Sequence, residues 1–128
     1  MSDKGTRLSD AELDIMLIIW NADGPVSASY ILERLKVKRD WALAALMTAL
    51  SRLCEKGAVL CEKRGHRNFY SAILKEQEYK ENESKSFLEK MYANSFMNMI
   101  ASLYNSKAID GEDLSDLQQF LEHLKKEK

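Results

Sequence analysis

The sequence predicts a mainly α-helical protein with a small β-hairpin: a winged helix-turn-helix N-terminal domain, residues 1–73, followed by a helical C-terminal domain, residues 74–128. Three observations predict it. Helix-period segments fill the stretch up to Lys56, the pattern switches to two-residue alternation after Gly57, and dense apolar helical stripes resume beyond Lys75.

The first helix is announced by Ser9 and Glu12, the spacing of a capping box in which each side chain satisfies a backbone N–H at the helix start. It runs to about Trp20. Leu13, Met16, Leu17 and Trp20 share one face, and Ile15, Ile18 and Ile19 make the rest so apolar that the helix should be nearly surrounded. Asp23-Gly24-Pro25 reads as a turn, because the proline cannot continue a helix. Ser27 or Ser29 then caps a short helix carrying Ile31, Leu32 and Leu35, which ends in a basic loop, Lys36 to Arg39.

A third helix is expected from about Trp41 to Lys56, with Gly57 at its left-handed C-terminal cap. Leu43, Leu46, Leu50 and Leu53 form its core face. After Gly57, Val59 to Lys63 and Asn68 to Ala72 alternate as strands around a basic tip, Arg64-Gly65-His66-Arg67. Three helices and such a hairpin make a winged helix.

From Lys75 onward the chain reads as helical. The polar stretch Glu76 to Lys85 looks like a spacer, and apolar residues follow at Phe87, Leu88, Met91 and Tyr92. Phe96, Met99, Ile100, Leu103 and Tyr104 form the next stripe. After a break near Ser106 to Asp110, the last helix, capped by Asp110 or Gly111, presents Leu114, Leu117, Leu121 and Leu124. A region this small rarely supports its own core, so a second copy of the chain is the economical cover for Phe87, Met91, Phe96, Met99, Ile100, Leu103 and the four leucines. Folding back onto the N-terminal domain is the alternative.

The formal net charge of −1 conceals an uneven distribution. From Arg34 to Arg67 nine basic residues face three acidic ones, whereas from Lys75 to Lys128 eight face eleven. The basic stretch surrounds the third helix, and charge so placed suits phosphate contacts on both sides of an inserted helix. The helix's outward face carries Trp41, Ala44, Ala45, Thr48, Ser51 and Arg52, mostly small side chains that would let it sit deep in a DNA major groove. Lys36, Lys38 and Arg39 precede it, Lys56 follows, and Arg64 and Arg67 tip the wing, with His66 an exposed residue between them. Trp41 serves either to stack on the backbone or to pack at the helix start. Ala44 and Ala45 also suit a quiet surface.

Cys54 and Cys61 match neither a disulfide framework nor a common zinc spacing and read as reduced, partly buried small hydrophobes. With two isolated histidines, His66 and His123, no catalytic constellation, metal site or cofactor is expected, and the protein is read as not an enzyme. The longest apolar run, Ile15 to Trp20, is far short of the roughly 20 residues of a membrane span, and residues 1–10 lack a signal core. A cytoplasmic location without membrane insertion is the expectation.

Leu8-Ser9-Asp10-Ala11-Glu12-Leu13, Ile18-Ile19-Trp20, Asp40-Trp41, Thr48, Ser51-Arg52-Leu53, Lys56-Gly57 and Phe69-Tyr70-Ser71 together resemble the BlaI/MecI/CopY family of penicillinase repressors. Lys85-Ser86-Phe87, Lys90-Met91-Tyr92 and Phe96 resemble its dimerisation region. The resemblance implies a bacterial homodimer that represses transcription by occupying a pseudo-palindromic double-stranded DNA operator. Family members control β-lactamase, penicillin-binding-protein or copper-transport genes.

The chain departs from the family pattern in three places. Where β-lactam-responsive members begin the recognition helix with Ser-Pro-Lys-Thr and place an arginine before the threonine, this chain has Ala42, Leu43, Ala44, Ala45 and Met47. Polar base readout is depleted. The resemblance also implies an inactivating protease or sensor as partner, cutting at an Asn-Phe bond whose place is taken here by Ser102 and Leu103. The cysteine-rich C-terminus of copper-responsive members has no counterpart beyond Cys61. Two other readings compete: a winged-helix module that binds a protein, and a winged-helix regulator resembling the PadR group.

Overall fold

A computed structural model describes residues 7–127, so residues 1–6 of the N-terminal stretch lie outside the described residues. The element order is α1 (Asp10–Trp20), β1 (Val26–Ser27), α2 (Ala28–Leu35), α3 (Leu43–Glu55), β2 (Val59–Arg64), β3 (Arg67–Ala72), α4 (Glu76–Tyr92), α5 (Phe96–Asn105) and α6 (Gly111–Lys126). Two compact units divide the chain between Asn82 and Glu83.

The first unit is a winged helix whose core is built from α1, α2, α3 and one face of an antiparallel sheet. Ile15, Met16, Ile31, Leu35, Leu46, Leu50 and Leu53 are fully buried there. The capping box at Ser9 and Glu12 starts α1 as the sequence predicts. Its most buried positions are Glu12, Ile15, Met16 and Ile19, while Leu13, Ile18 and Trp20 pack partly on the same core. The dominant face is thus rotated from the expected one, and the helix is covered on most sides. Ser27, rather than Ser29, caps α2 by accepting from the Tyr30 N–H at 3.2 Å.

The third helix is shorter than expected. It begins at Leu43, and Ala42 provides no side-chain cap. It ends as predicted, with Gly57 at φ 79° and two closing bonds, Gly57 N–H to the Cys54 carbonyl at 3.1 Å and Ala58 N–H to the Leu53 carbonyl at 3.0 Å. That is the Schellman pattern, and buried Ala58 and Leu53 supply its apolar contact.

The sheet has one strand more than the sequence predicts, in the order β1-β3-β2. Val26 and Ser27 pair with Tyr70 and Phe69, so the end of the expected turn is a two-residue strand. β2 and β3 form the hairpin, from Val59 opposite Ala72 to Arg64 opposite Arg67. The turn is only Gly65-His66, with Gly65 at φ 65°, a conformation that glycine adopts without the penalty of a side chain.

The first unit reaches beyond β3 because the chain that follows still packs on its core. Leu74 and Tyr79 are buried. The Trp20 indole N–H donates to the Leu74 carbonyl at 2.8 Å, and the Leu8 N–H donates to the Tyr79 hydroxyl at 3.3 Å. Part of the expected polar spacer therefore anchors the winged helix.

In the second unit, Ser95 caps α5 and a capping box between Asp110 and Asp113 starts α6. No residue of α5 or α6 is buried. Among the described residues no helix is long and apolar enough to cross a membrane.

Candidate nucleic-acid interface

Leu46, Ala49, Leu50 and Leu53 turn one face of α3 into the core, which leaves Ala44, Ala45, Thr48, Ser51 and Arg52 exposed on the other. Leu43, expected in the core, is 50% exposed. The helix starts at this residue, and the core takes up Leu46 from the same turn instead. Met47, one turn on, is 36% exposed. The Thr48 hydroxyl donates to the Ala44 carbonyl at 3.1 Å.

The wing places Arg64, His66 and Arg67 in solvent. The Arg64 and Arg67 guanidinium carbons lie 5.4 and 5.9 Å from the centre of the Phe69 ring, which both cations share as a platform. Arg64 also approaches Glu62 at 3.5 Å, but both side chains are more than half exposed and the pair is screened by water. A notch lined by Ser27, Ser29, Leu43, Met47, Arg67 and Asn68 brings the start of β3 beside the first turns of α2 and α3.

Three of the other expected phosphate ligands, Arg39, Lys38 and Lys56, are engaged inside the chain. Arg39 Nε donates to Asp14 at 2.8 Å, with its side chain only 29% exposed, and the guanidinium lies 5.8 Å from the Trp41 ring. Trp41 packs partly against the core, holding the loop before α3. Lys38 is looser, 3.5 Å from Asp14 and 60% exposed. Lys56 bonds the buried carboxylate of Glu12 and the Arg7 carbonyl. Burial opposes ionisation of Glu12, but the Lys56 ammonium and the Ser9 N–H outweigh it together, and the carboxyl is held below its ordinary value. Asp14 and Glu12 on α1 were the missing signal. The basic count of the sequence treats all these cations alike.

Cys54 packs against the core, and burial, helped by nearby Cys61, pushes its thiol up. Cys61, expected to be partly buried, is exposed, because β2 is an edge strand whose only buried residue is Val59. Among the described residues no cluster of histidine, cysteine, aspartate or glutamate could hold a metal ion.

In the second unit, Phe87, Met91, Phe96, Leu121 and Leu124 are exposed and Met99, Ile100, Leu103, Leu114 and Leu117 half-buried. Met97 at 72% and Phe120 at 55% exposure extend this apolar surface and are absent from the stripes read in the sequence. Ser102 is exposed and Leu103 half-buried, both inside α5.

Residues 8–123 match the profile of the family described as penicillinase repressor. The chain belongs to that family. Among its penicillinase-repressor relatives, the protein of Bacillus licheniformis is 30% identical over 122 residues, covering 95% of this chain and 94% of its own. The methicillin resistance regulatory protein MecI of Mammaliicoccus sciuri is 27% identical over 121 residues, covering 94% and 98%. The solution structure of the DNA-binding domain of the repressor BlaI is similar with a TM-score of 0.51 and 30% identity, covering 57% of this chain and 88% of that one. The monomeric Bacillus licheniformis BlaI in complex with the blaP half-operator gives 0.50, at the same identity, covering 58% and 89%.

Proposed function

We propose that this penicillinase-repressor homologue is a homodimeric transcriptional repressor that binds a pseudo-palindromic DNA operator. Each protomer lays α3 in a major groove and sets the wing arginines on the flanking phosphates, the two helices roughly 34 Å or a multiple apart. The observation that carries the reading is the exposed face of α3, free of bulk at Ala44, Ala45, Thr48 and Ser51, with Arg52 on the same helix and Arg67 beside its first turns. A BlaI structure bound to a half-operator supports it. Arg52, Arg64, Arg67, Lys38 and His66 are the proposed phosphate ligands, and Arg39 positions the loop.

The homodimer is supported by the apolar surface of α4, α5 and α6, which a second copy would cover. The chain would act in the cytoplasm, without a catalytic role. Release by an inactivating protease would require α5 to open around Ser102 and Leu103, because both are helical.

Selection from a random duplex library at moderate salt, with sedimentation analysis of the protein, tests the proposal. An enriched dyad bound by a dimer supports it. Salt-sensitive binding without any enriched sequence would refute it and favour a protein-binding module.

A further inference from the structure

The first two turns of α3 offer DNA an apolar face. Leu43 and Met47, one turn apart, are 50% and 36% exposed, and Ala44 and Ala45 are exposed beside them. Thr48, the one polar side chain between Leu43 and Ala49, spends its hydrogen on the Ala44 carbonyl. The first long donor on the helix is Arg52, about one turn beyond Thr48.

The major-groove edges of the bases respond differently to such a face. Guanine presents two acceptors, cytosine a donor and adenine one of each, whereas thymine adds a 5-methyl group to its single acceptor. Water leaves when the helix inserts. A G·C pair then faces Leu43 and Met47 with its polar atoms unpaired, which is penalised, while a thymine methyl gains apolar contact. The notch of about 220 Å³ around Leu43 and Met47 has Ser27, Ser29, Arg67 and Asn68 on its walls, polar groups suited to an adjacent phosphate.

We infer that Leu43 and Met47 read thymine 5-methyl groups, so that each half-site carries T·A pairs where α3 begins and excludes G·C there. This rests on the DNA-binding reading and adds a mechanism of sequence choice. Specificity comes from an attractive methyl contact and from a penalty on the wrong pair, with no hydrogen bond to a base from these two turns.

The test uses a dyad duplex enriched from a random library, resynthesised with each thymine in turn replaced by uracil. That change removes the methyl group alone. Loss of about fourfold in affinity is expected at each thymine facing the start of α3, the value for one buried methyl group. Placing a C·G pair there should weaken binding, and 5-methylcytosine should recover about the same factor. Leu43→Ala with Met47→Ala should bind the thymine and uracil duplexes equally, with circular dichroism showing the variant still folded. Specific dyad binding with no uracil effect at any position would overturn the methyl readout and leave the repressor reading intact. Enriched dyads with G·C pairs at the facing positions would also overturn it. The absence of any enriched dyad would sink the repressor reading, and this inference with it.

Discussion

Replacing Lys56 with methionine separates a structural lysine from a phosphate ligand. The Glu12 side chain it contacts is 7% exposed, and its carboxylate accepts from the Lys56 ammonium and from the Ser9 N–H at 2.9 Å. The variant leaves that charge with Ser9 as its partner. Removing one partner of a fully buried pair costs about 3–5 kcal/mol. Lys56 is 36% exposed, so water screens its side of the pair and the expected loss is about 2 kcal/mol. Urea unfolding at pH 7 should show a lower midpoint with an unchanged slope. Glu12 has a folded-state pKa below its ordinary 4.5, so the pair's contribution is complete above that value and is lost as pH falls through the folded one. The gap between parent and variant should therefore close under acid. The salt dependence of duplex binding should stay as it was. A variant as stable as the parent whose binding shows a salt slope shallower by about 0.9, the value for one lost phosphate contact, would refute the argument.

Arg64→Ala with Arg67→Ala should weaken duplex binding and flatten the salt slope by about 2, with stability changed by less than about 0.5 kcal/mol; titrations at several salt concentrations measure both. Trp20→Phe removes the 2.8 Å bond to the Leu74 carbonyl and should cost about 1 kcal/mol in urea unfolding. Leu121→Asp with Leu124→Asp should sediment as a monomer and bind a half-site as the parent does, while losing the dyad's advantage. A double variant that stays dimeric would place the contact elsewhere.

Local chemistry was legible wherever neighbours in sequence supply both partners. Ser9 and Glu12 announce the start of α1, Gly57 its counterpart at the end of α3, and Arg64 to Arg67 the wing tip. β1 was not legible, because two residues carry no period and Val26's partner, Tyr70, lies far along the chain on β3. The packing of the stretch after β3 was hidden for the same reason. Glu76 to Lys85 is polar in composition, yet Tyr79 within it closes on Leu8 and Trp20.

The recognition surface shows the division most clearly. Helical period alone places Leu46, Leu50 and Leu53 inward and Ala44, Thr48 and Ser51 outward, and the sequence by itself determined that α3 has one small-residue face amid positive charge. Only the tertiary structure decided which cations remain for DNA and which leucine joins the core. Asp14 and Glu12 claim Arg39 and Lys56 across separations of 25 and 44 residues, and the core takes Leu46 from the first turn of α3 while leaving Leu43 half-exposed at its start. Pairing and burial depend on where the packed chain brings distant groups together, and no local pattern carries that information.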